Sequence, residues 1–324
     1  MSEVLVVTCP SGKQCNHLLP HLYEKGKFEL RLAAHSEASV AKLKAKYPNA
    51  EVQACDISSR ADCRALLQGV TAVYHVGPSF HTAEKEMGIN MIDAAVVESQ
   101  RPGNVFKHFV FSSVLGTQHR QLMQHDLKSY VEERLFLSPL QWTVLQPTNF
   151  MDAYPVQQMS KAERPEYTHK ISPIPRNSVV SLDDLAEVAA KVLNEREAHF
   201  YAQYPLCSTL PISEGEVLEI IEKQIGKKVK TTTPTIEEGT QALLNFLYMG
   251  HGKDEFTQIK GKEGVISTAQ GDPRPDIVRD EALRLLMFYQ NRGLTGSPNV
   301  MRWLLGREPT SVEDYVKREI EKAG

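Results

Sequence analysis

Short apolar runs alternate with helical patterns through the first half of this 324-residue chain, and that alternation constrains the fold more than any other feature. Val4–Thr8, Leu30–Ala34, Glu51–Ala54, Ala72–Val76, Phe109–Phe111 and Thr143–Leu145 predict strands. Between them Lys13–Glu24, Glu37–Lys46, Arg60–Gln68, Met87–Glu98 and Leu127–Leu137 predict helices. Strands separated by helices need crossover connections, and those give a parallel sheet covered on both faces. The expected fold class is therefore α/β: a doubly wound parallel sheet (Rossmann) with a smaller, mainly helical C-terminal lobe.

The first strand runs into Thr8-Cys9-Pro10-Ser11-Gly12-Lys13-Gln14-Cys15 and then into a helix carrying Leu18, Leu19 and Leu22. This is the layout of a dinucleotide-binding strand, loop and helix, in which backbone N–H groups at a helix N-terminus receive a pyrophosphate. Three glycines usually serve such a loop: one for the tight turn, one for close approach of the phosphates, one for helix–strand packing. Only Gly12 is present. Cys9 and Cys15 stand at the other two positions, and both are small enough to serve if the turn widens slightly. Read alone, the loop is equally consistent with a buried strand and helix that hold no ligand.

After Phe150 the pattern changes to a proline-rich segment from Pro155 to Pro175, then a helix over Ser181–Leu193 with acids in its first turn and a strand over Tyr201–Cys207. Further helices are expected over Glu214–Gln224, Glu237–Met249, Arg279–Arg292 and Val300–Leu305, with a Gly/Lys-rich loop at 250–264. The basic run Lys223–Lys230 reads as a helix ending at Gly226 followed by a solvated strand. These features divide the chain into a nucleotide-binding domain over residues 1–205, with 151–177 contributing to a substrate lobe, and a helical capping lobe over 206–324. Phe246, Tyr248, Phe288, Tyr289 and Trp303 fall at helical spacings, as core or as walls of an apolar pocket.

A formal net charge of -3 offers nothing to nucleic acid or an anionic membrane, which leaves a small molecule as the expected partner. The five cysteines form no Cys-x-x-Cys pair and fit reduced thiols, and no apolar run reaches transmembrane length. A cytoplasmic protein is expected, with a homodimer as one allowed assembly.

Five segments in one order resemble the atypical short-chain dehydrogenases/reductases of the NmrA-like family. They are Thr8–Gln14, Ala54-Cys55-Asp56-Ile57, Val110–Val114, His125-Asp126-x-Lys128-x-x-Val131-Glu132-Glu133 and Leu145–Met151, and the helical tail resembles that of fungal members. The resemblance implies a nicotinamide cofactor against Thr8, Ser11, Gly12, Lys13 and Gln14, with the turn from Gly12 to Gln14 on the pyrophosphate. It implies Asp56 and Ile57 near the adenine, Ser112 and Ser113 facing the nicotinamide ribose, Lys128 on the ribose hydroxyls, and Pro147, Asn149 and Phe150 along the nicotinamide. Gly77 and Pro78 follow the fourth strand and line the same cleft. All these positions lie at or just past strand ends, where ligands bind in such sheets. Asp56 also reads as an ordinary turn acid before Ser58-Ser59.

Just past the second strand an acid would select NAD and a basic group would accommodate the extra phosphate of NADP. Ala34-His35-Ser36 has no acid, so NADP(H) is preferred and NAD(H) remains open; His35 takes the place where the family often has arginine, and Arg31 is expected to point elsewhere.

In dehydrogenases of this class a tyrosine one turn before the lysine gives the proton. Here that position is Gln124, and Tyr130 is on the opposite helix face. His125 lies on nearly the same face as Lys128 and could serve as the acid; His81 in the cleft is a second candidate. Read without the resemblance, His125 and Lys128 are surface-helix residues. His75, His81 and Glu84 show no repeating ligand spacing, so no metal is expected. Three functions follow: an NADP(H)-dependent oxidoreductase on a small apolar or aromatic carbonyl, enone or imine, in secondary metabolism; a non-catalytic NAD(P) sensor or regulator; or a redox-neutral cyclase, dehydratase or rearrangement enzyme that has lost the cofactor.

Overall fold

The computed structural model describes residues 3–24, 27–78, 81–169, 172–247 and 275–324. Ser79, Phe80, Tyr248 and the loop at 250–264 lie outside the described residues, as does the side chain of Phe246. The first half alternates as expected: β1 (Glu3–Thr8), α1 (Lys13–Glu24), β2 (Phe28–Ala34), α2 (Glu37–Lys46), β3 (Glu51–Ala54), α3 (Arg60–Leu66), β4 (Ala72–Val76), α4 (Glu84–Ser99), β5 (His108–Ser112), α5 (Met123–Phe136) and β6 (Trp142–Pro147). Then come β7 (Asn149–Phe150), α6 (Val156–Lys161), β8 (Glu166–Thr168), β9 (Arg176–Asn177), β10 (Val179–Val180), α7 (Leu182–Glu195) and β11 (Ala202–Leu206). The last third adds β12 (Ile212–Ser213), α8 (Glu214–Ile225), β13 (Lys230–Thr232), α9 (Ile236–Leu247), α10 (Pro275–Asn291), α11 (Asn299–Leu305) and α12 (Val312–Ala323).

A seven-stranded sheet runs in the order β11-β6-β5-β4-β1-β2-β3, and every neighbouring pair in it is parallel. Its order reverses between β1 and β4, which opens a crevice beyond the carboxyl ends of those strands. Side chains alternate between two cores. Leu5 and Val7 of β1 join Leu18, Leu19 and Leu22 of α1, whereas Val6 joins Met91 and Ile92 of α4. On β5, Phe109 and Phe111 point to the α4–α5 side and Val110 to the other. Each such side chain buried on both faces contributes roughly 1.5–3 kcal/mol, which is why the central strands read as continuous apolar runs.

A satellite core holds α6, α8 and α12 together through Met159, Val217, Ile221, Tyr315 and Val316. Helix α8 begins in a capping box between Ser213 and Glu216 and stops at Gly226, in the left-handed conformation, ahead of the exposed strand β13. The sequence pattern closes on a helical pair; the structure continues into α12, whose apolar stripe Val312, Tyr315, Val316 sits among charges behind the cap Ser311. Trp303 is neither core nor pocket wall: it is 66% exposed and meets Tyr204 edge-on at 6.0 Å.

Candidate functional site

At the end of β1, the Thr8 hydroxyl accepts from the Val76 amide at 2.8 Å and donates to the Val76 carbonyl at 3.0 Å, tying β1 to β4 at the point where the strand order reverses. His75 lies beside it, its Nδ1 3.1 Å from the same hydroxyl. Burial, reinforced by the Lys128 charge, pushes the His75 imidazole down to about 3. Cys9 then takes φ +48°, the left-handed conformation that glycine usually supplies. The cost to a residue with a Cβ is about 1–2 kcal/mol. The Gly12 amide closes the turn on the Cys9 carbonyl at 2.9 Å. Cys15 is fully buried with Sγ 3.5 Å from the Thr8 carbonyl, so the helix rests on the strand through a thiol. Ser11, Gly12 and Lys13 are exposed, and the first-turn amides of α1 have no intrahelical acceptor. That leaves an open anion-binding turn.

Flanking β4 and β5, α4 and α5 approach so closely that a Cβ on Gly88 would lie 2.5 Å from Val131 Cγ2. Glu84 is one turn before Gly88, and Lys128 is three residues before Val131 on the facing surface. The contact brings the Lys128 ammonium onto Glu84 Oε1, with the side chains only 8% and 2% exposed. Gly77, just after β4, covers the carboxylate; a Cβ there would stand 2.7 Å from Glu84 Oε1. Burial pushes the Glu84 carboxyl up, and the Lys128 charge opposes it. Glu84 Oε2 and Gln124 Oε1 are buried without a hydrogen-bond partner among the described residues.

The remaining expected residues divide between the crevice and the scaffold. Ser112 donates to Gln14 Oε1 at 2.7 Å, linking β5 to the first turn of α1. Ser113 donates to Glu132 Oε1 at 2.6 Å, and Thr117 and Gln146 also reach that buried carboxylate, so Ser113 braces the loop after β5. His125 is 1% exposed, not on the surface; its Nδ1 donates to the Gly116 carbonyl at 2.9 Å. Burial, against that hydrogen bond, pushes its imidazole down to about 4. His81 is buried at the start of α4, where Nδ1 accepts from the Ala83 amide at 3.1 Å. His75, His81 and Glu84 do not form a metal-binding group, nor does any other set among the described residues.

Just past β2 His35 is half-buried, and burial lowers its pKa. Ser36 caps α2, accepting from the Ser39 amide at 3.3 Å, and Arg31 points away to Glu51. Asp56 accepts from the Ser58 amide and hydroxyl in a local turn, while Ile57 is buried behind it. Pro147 is buried, and Asn149 and Phe150 are half-buried in the following segment. There α10 closes on them: Tyr289 donates to Asn149 Oδ1 at 3.1 Å, and Phe288 packs against His119. Glu281 of α10 accepts from the Met123 amide at 2.5 Å, capping α5, which has no side-chain cap of its own. Lys13 pairs with Asp152 at 2.6 Å.

Glu84, the buried partner of Lys128, entered the sequence reasoning only as a rejected metal ligand; Glu281 and Asp152 were missed outright. Their contacts span 44, 158 and 139 residues, so no local spacing announces them. An acid four residues before a glycine in a helix-opening turn is the one local signal at Glu84.

The residues present fit a dinucleotide. The α1 turn suits a pyrophosphate, and the acceptors at Glu84 and Gln124 that have no partner among the described residues suit hydroxyl or amide donors of the same ligand.

The model of the NmrA-like family matches residues 1–272. No curated protein sequence matches the chain. Among solved structures it is similar to an NADPH-dependent quinone oxidoreductase from Escherichia coli complexed with NADPH, with TM-score 0.72 at 17% identity over 97% of this chain and 99% of that one. It is similar to a Citrobacter sp. triphenylmethane reductase complexed with NADP(H), with TM-score 0.72 at 18% identity over 98% and 99%. It is also similar to a negative transcriptional regulator, NmrA, in complex with NAD, with TM-score 0.63 at 16% identity over 99% and 97%. At these identities the likeness concerns the fold.

Proposed function

Since this chain belongs to the NmrA-like family, we propose that it is an NADP(H)-dependent oxidoreductase acting on a small apolar or aromatic carbonyl, enone or imine. The observation that carries this reading is an open anion-binding turn after β1 with a buried lysine beside the same strand ends, close enough for Lys128 and Glu84 to act on Cys9. A bound nicotinamide supplies the hydride. The chain supplies binding through the α1 turn, orientation through Lys128 and the 147–150 segment, and exclusion of water by α10, which carries Tyr289 onto Asn149.

Proton delivery falls to the Lys128 ammonium or to water. His125 is held neutral by burial, and its Nδ1 proton is committed to Gly116, so it is a poor acid near neutral pH. His81 uses Nδ1 as an acceptor at the start of α4. NADP is favoured over NAD because His35 and the capping Ser36, not an acid, stand directly after β2, ahead of Glu37 in the first turn of α2. The relatives complexed with NADPH and NADP(H) support the same choice.

The reading is tested by following NADPH oxidation over a panel of quinones, aromatic aldehydes, enones and imines. Turnover of at least one class that is lost in Lys128→Met is expected; tight nucleotide binding with no turnover across the panel would reject it.

A second reading, an NAD(P)-binding regulator, is favoured by Gln124 at the proton-donor position and by the regulator among the relatives. It predicts that nucleotide changes oligomeric state or partner affinity, measured by light scattering. No helix among the described residues is long and apolar enough to cross a membrane.

A further inference from the structure

We propose that Glu84 is a positioning residue for the cofactor in this chain: one carboxylate oxygen holds the Lys128 ammonium and the other accepts a hydrogen bond from a hydroxyl of the ribose nearest the reacting ring. The inference rests on the nicotinamide reading above and adds a residue to it.

Three observations converge on this carboxylate. The first is its burial: an ion pair removed from water on both sides is costly, and replacement by packed apolar side chains would often be neutral or favourable, so its stability alone does not explain it. The second is its incompleteness. Oε1 is engaged by Lys128, yet Oε2 has no donor among the described residues, and a buried carboxylate normally has each oxygen satisfied. A hydroxyl donor on a ligand would complete the set. The third is the space reserved for it: Gly77 and Gly88 both lack the Cβ that would displace Glu84 or separate α4 from α5.

The groups that face the pair leave it as the charged element of its surroundings. His75 from β4 and His125 from α5 are neutral imidazoles near neutral pH, and the Cys9 thiol after β1 is pushed up to about 12 by burial and by Glu84. Phe111 of β5 presents its ring 5.9 Å from the Lys128 ammonium. A lysine donor beside a carboxylate acceptor can grip a sugar hydroxyl from both sides, and a charge-assisted bond to the carboxylate is about twice as strong as a neutral one. Gln124 Oε1, also without a partner among the described residues, is one turn before Lys128 and adds a second acceptor beside the pair.

The test compares two ligands by fluorescence titration: NADPH, and an NADPH analogue lacking both hydroxyls of the nicotinamide ribose. Wild type is expected to bind NADPH more tightly. Glu84→Gln is expected to weaken NADPH by about tenfold, a loss of about 1.4 kcal/mol, and to leave the analogue within about twofold. Equal weakening of both ligands, or of neither, overturns the proposal, because a purely structural carboxylate would not distinguish them. If wild type binds neither ligand, the nicotinamide reading itself fails, and this proposal with it. Should Glu84→Gln not yield a cooperative thermal transition, Gly77→Ala reads the same quantity, since its Cβ displaces the carboxylate without removing it; the same discrimination is expected, and its absence is equally decisive.

Discussion

The turn after β1 and the buried pair on α4 and α5 depart from the pattern that the sequence resembles in opposite ways. At the phosphate end the residues change and the shape stays: Cys9 adopts a glycine's φ and Cys15 packs as a small residue against Thr8. At the lysine end Lys128 stays and its surroundings change, with Glu84 as partner and Gln124 one turn away. A turn can absorb a Cβ for a modest strain, whereas a buried lysine requires a charged partner that the fold brings from elsewhere in the chain. The comparison predicts that substitutions at the lysine end have large effects and those at the phosphate end small ones.

The largest effect is expected for Lys128→Met. It leaves Glu84 buried without its cation, which costs about 3–5 kcal/mol, and reductase turnover falls by about a hundredfold or more. The double variant Lys128→Met/Glu84→Met should regain much of the stability, measured by urea unfolding, and none of the turnover. Recovery of turnover in the double variant would break the assignment of Lys128.

Next is a pH effect at the same end. His125 is neutral in the folded state and pushed down to about 4, below the 6.5 of an unperturbed imidazole, so the unfolded chain binds a proton that the folded chain does not. Between those values stability must fall as pH falls, by up to about 3 kcal/mol once the folded-state value is passed. His75 adds a second loss of the same sign, extending to about pH 3. His125→Gln should flatten the slope of unfolding free energy between pH 6.5 and pH 4; an unchanged slope would show that His125 is not buried as described.

Gly88→Ala tests the packing that joins the pair. Its Cβ meets Val131, so a loss of about 1–3 kcal/mol is expected, with weaker nucleotide binding because Glu84 and Lys128 separate. The pairing Gly88→Ala/Val131→Ala should restore both.

The smallest effect is expected at the phosphate end. Cys9→Gly relieves the left-handed strain, about 1–2 kcal/mol, but gives back about 0.5–1 kcal/mol of glycine's unfolded-state freedom. A net gain under about 1 kcal/mol with little change in nucleotide affinity is the expected outcome of thermal unfolding and titration. A large gain in affinity would mean that the turn had been limiting.

This ordering also separates what was legible in the sequence from what was not. The bounds of α1 and α2 coincide with the apolar periodicity, because each helix packs one stripe on the sheet. The crevice was legible for the same reason: parallel strands fix where their carboxyl ends fall. Lys128 could be singled out by its motif, yet its partner could not, since Glu84 reaches it through tertiary packing at Gly88 and Val131. Ser112 was expected to face the cofactor and does stand at the crevice, but its hydroxyl is engaged by Gln14. The cap on α5 comes from Glu281, far along the tail, and local capping rules find nothing at Leu122. Strands of two or three residues, such as β7 and β9, are too short to show a period.

The central claim, that this crevice receives a nicotinamide dinucleotide with NADP preferred, is tested most directly by titrating the wild-type protein with NADPH and with NADH under identical salt and pH. Saturable binding of NADPH, at least severalfold tighter than NADH, is the predicted result; no saturable binding of either nucleotide would contradict it.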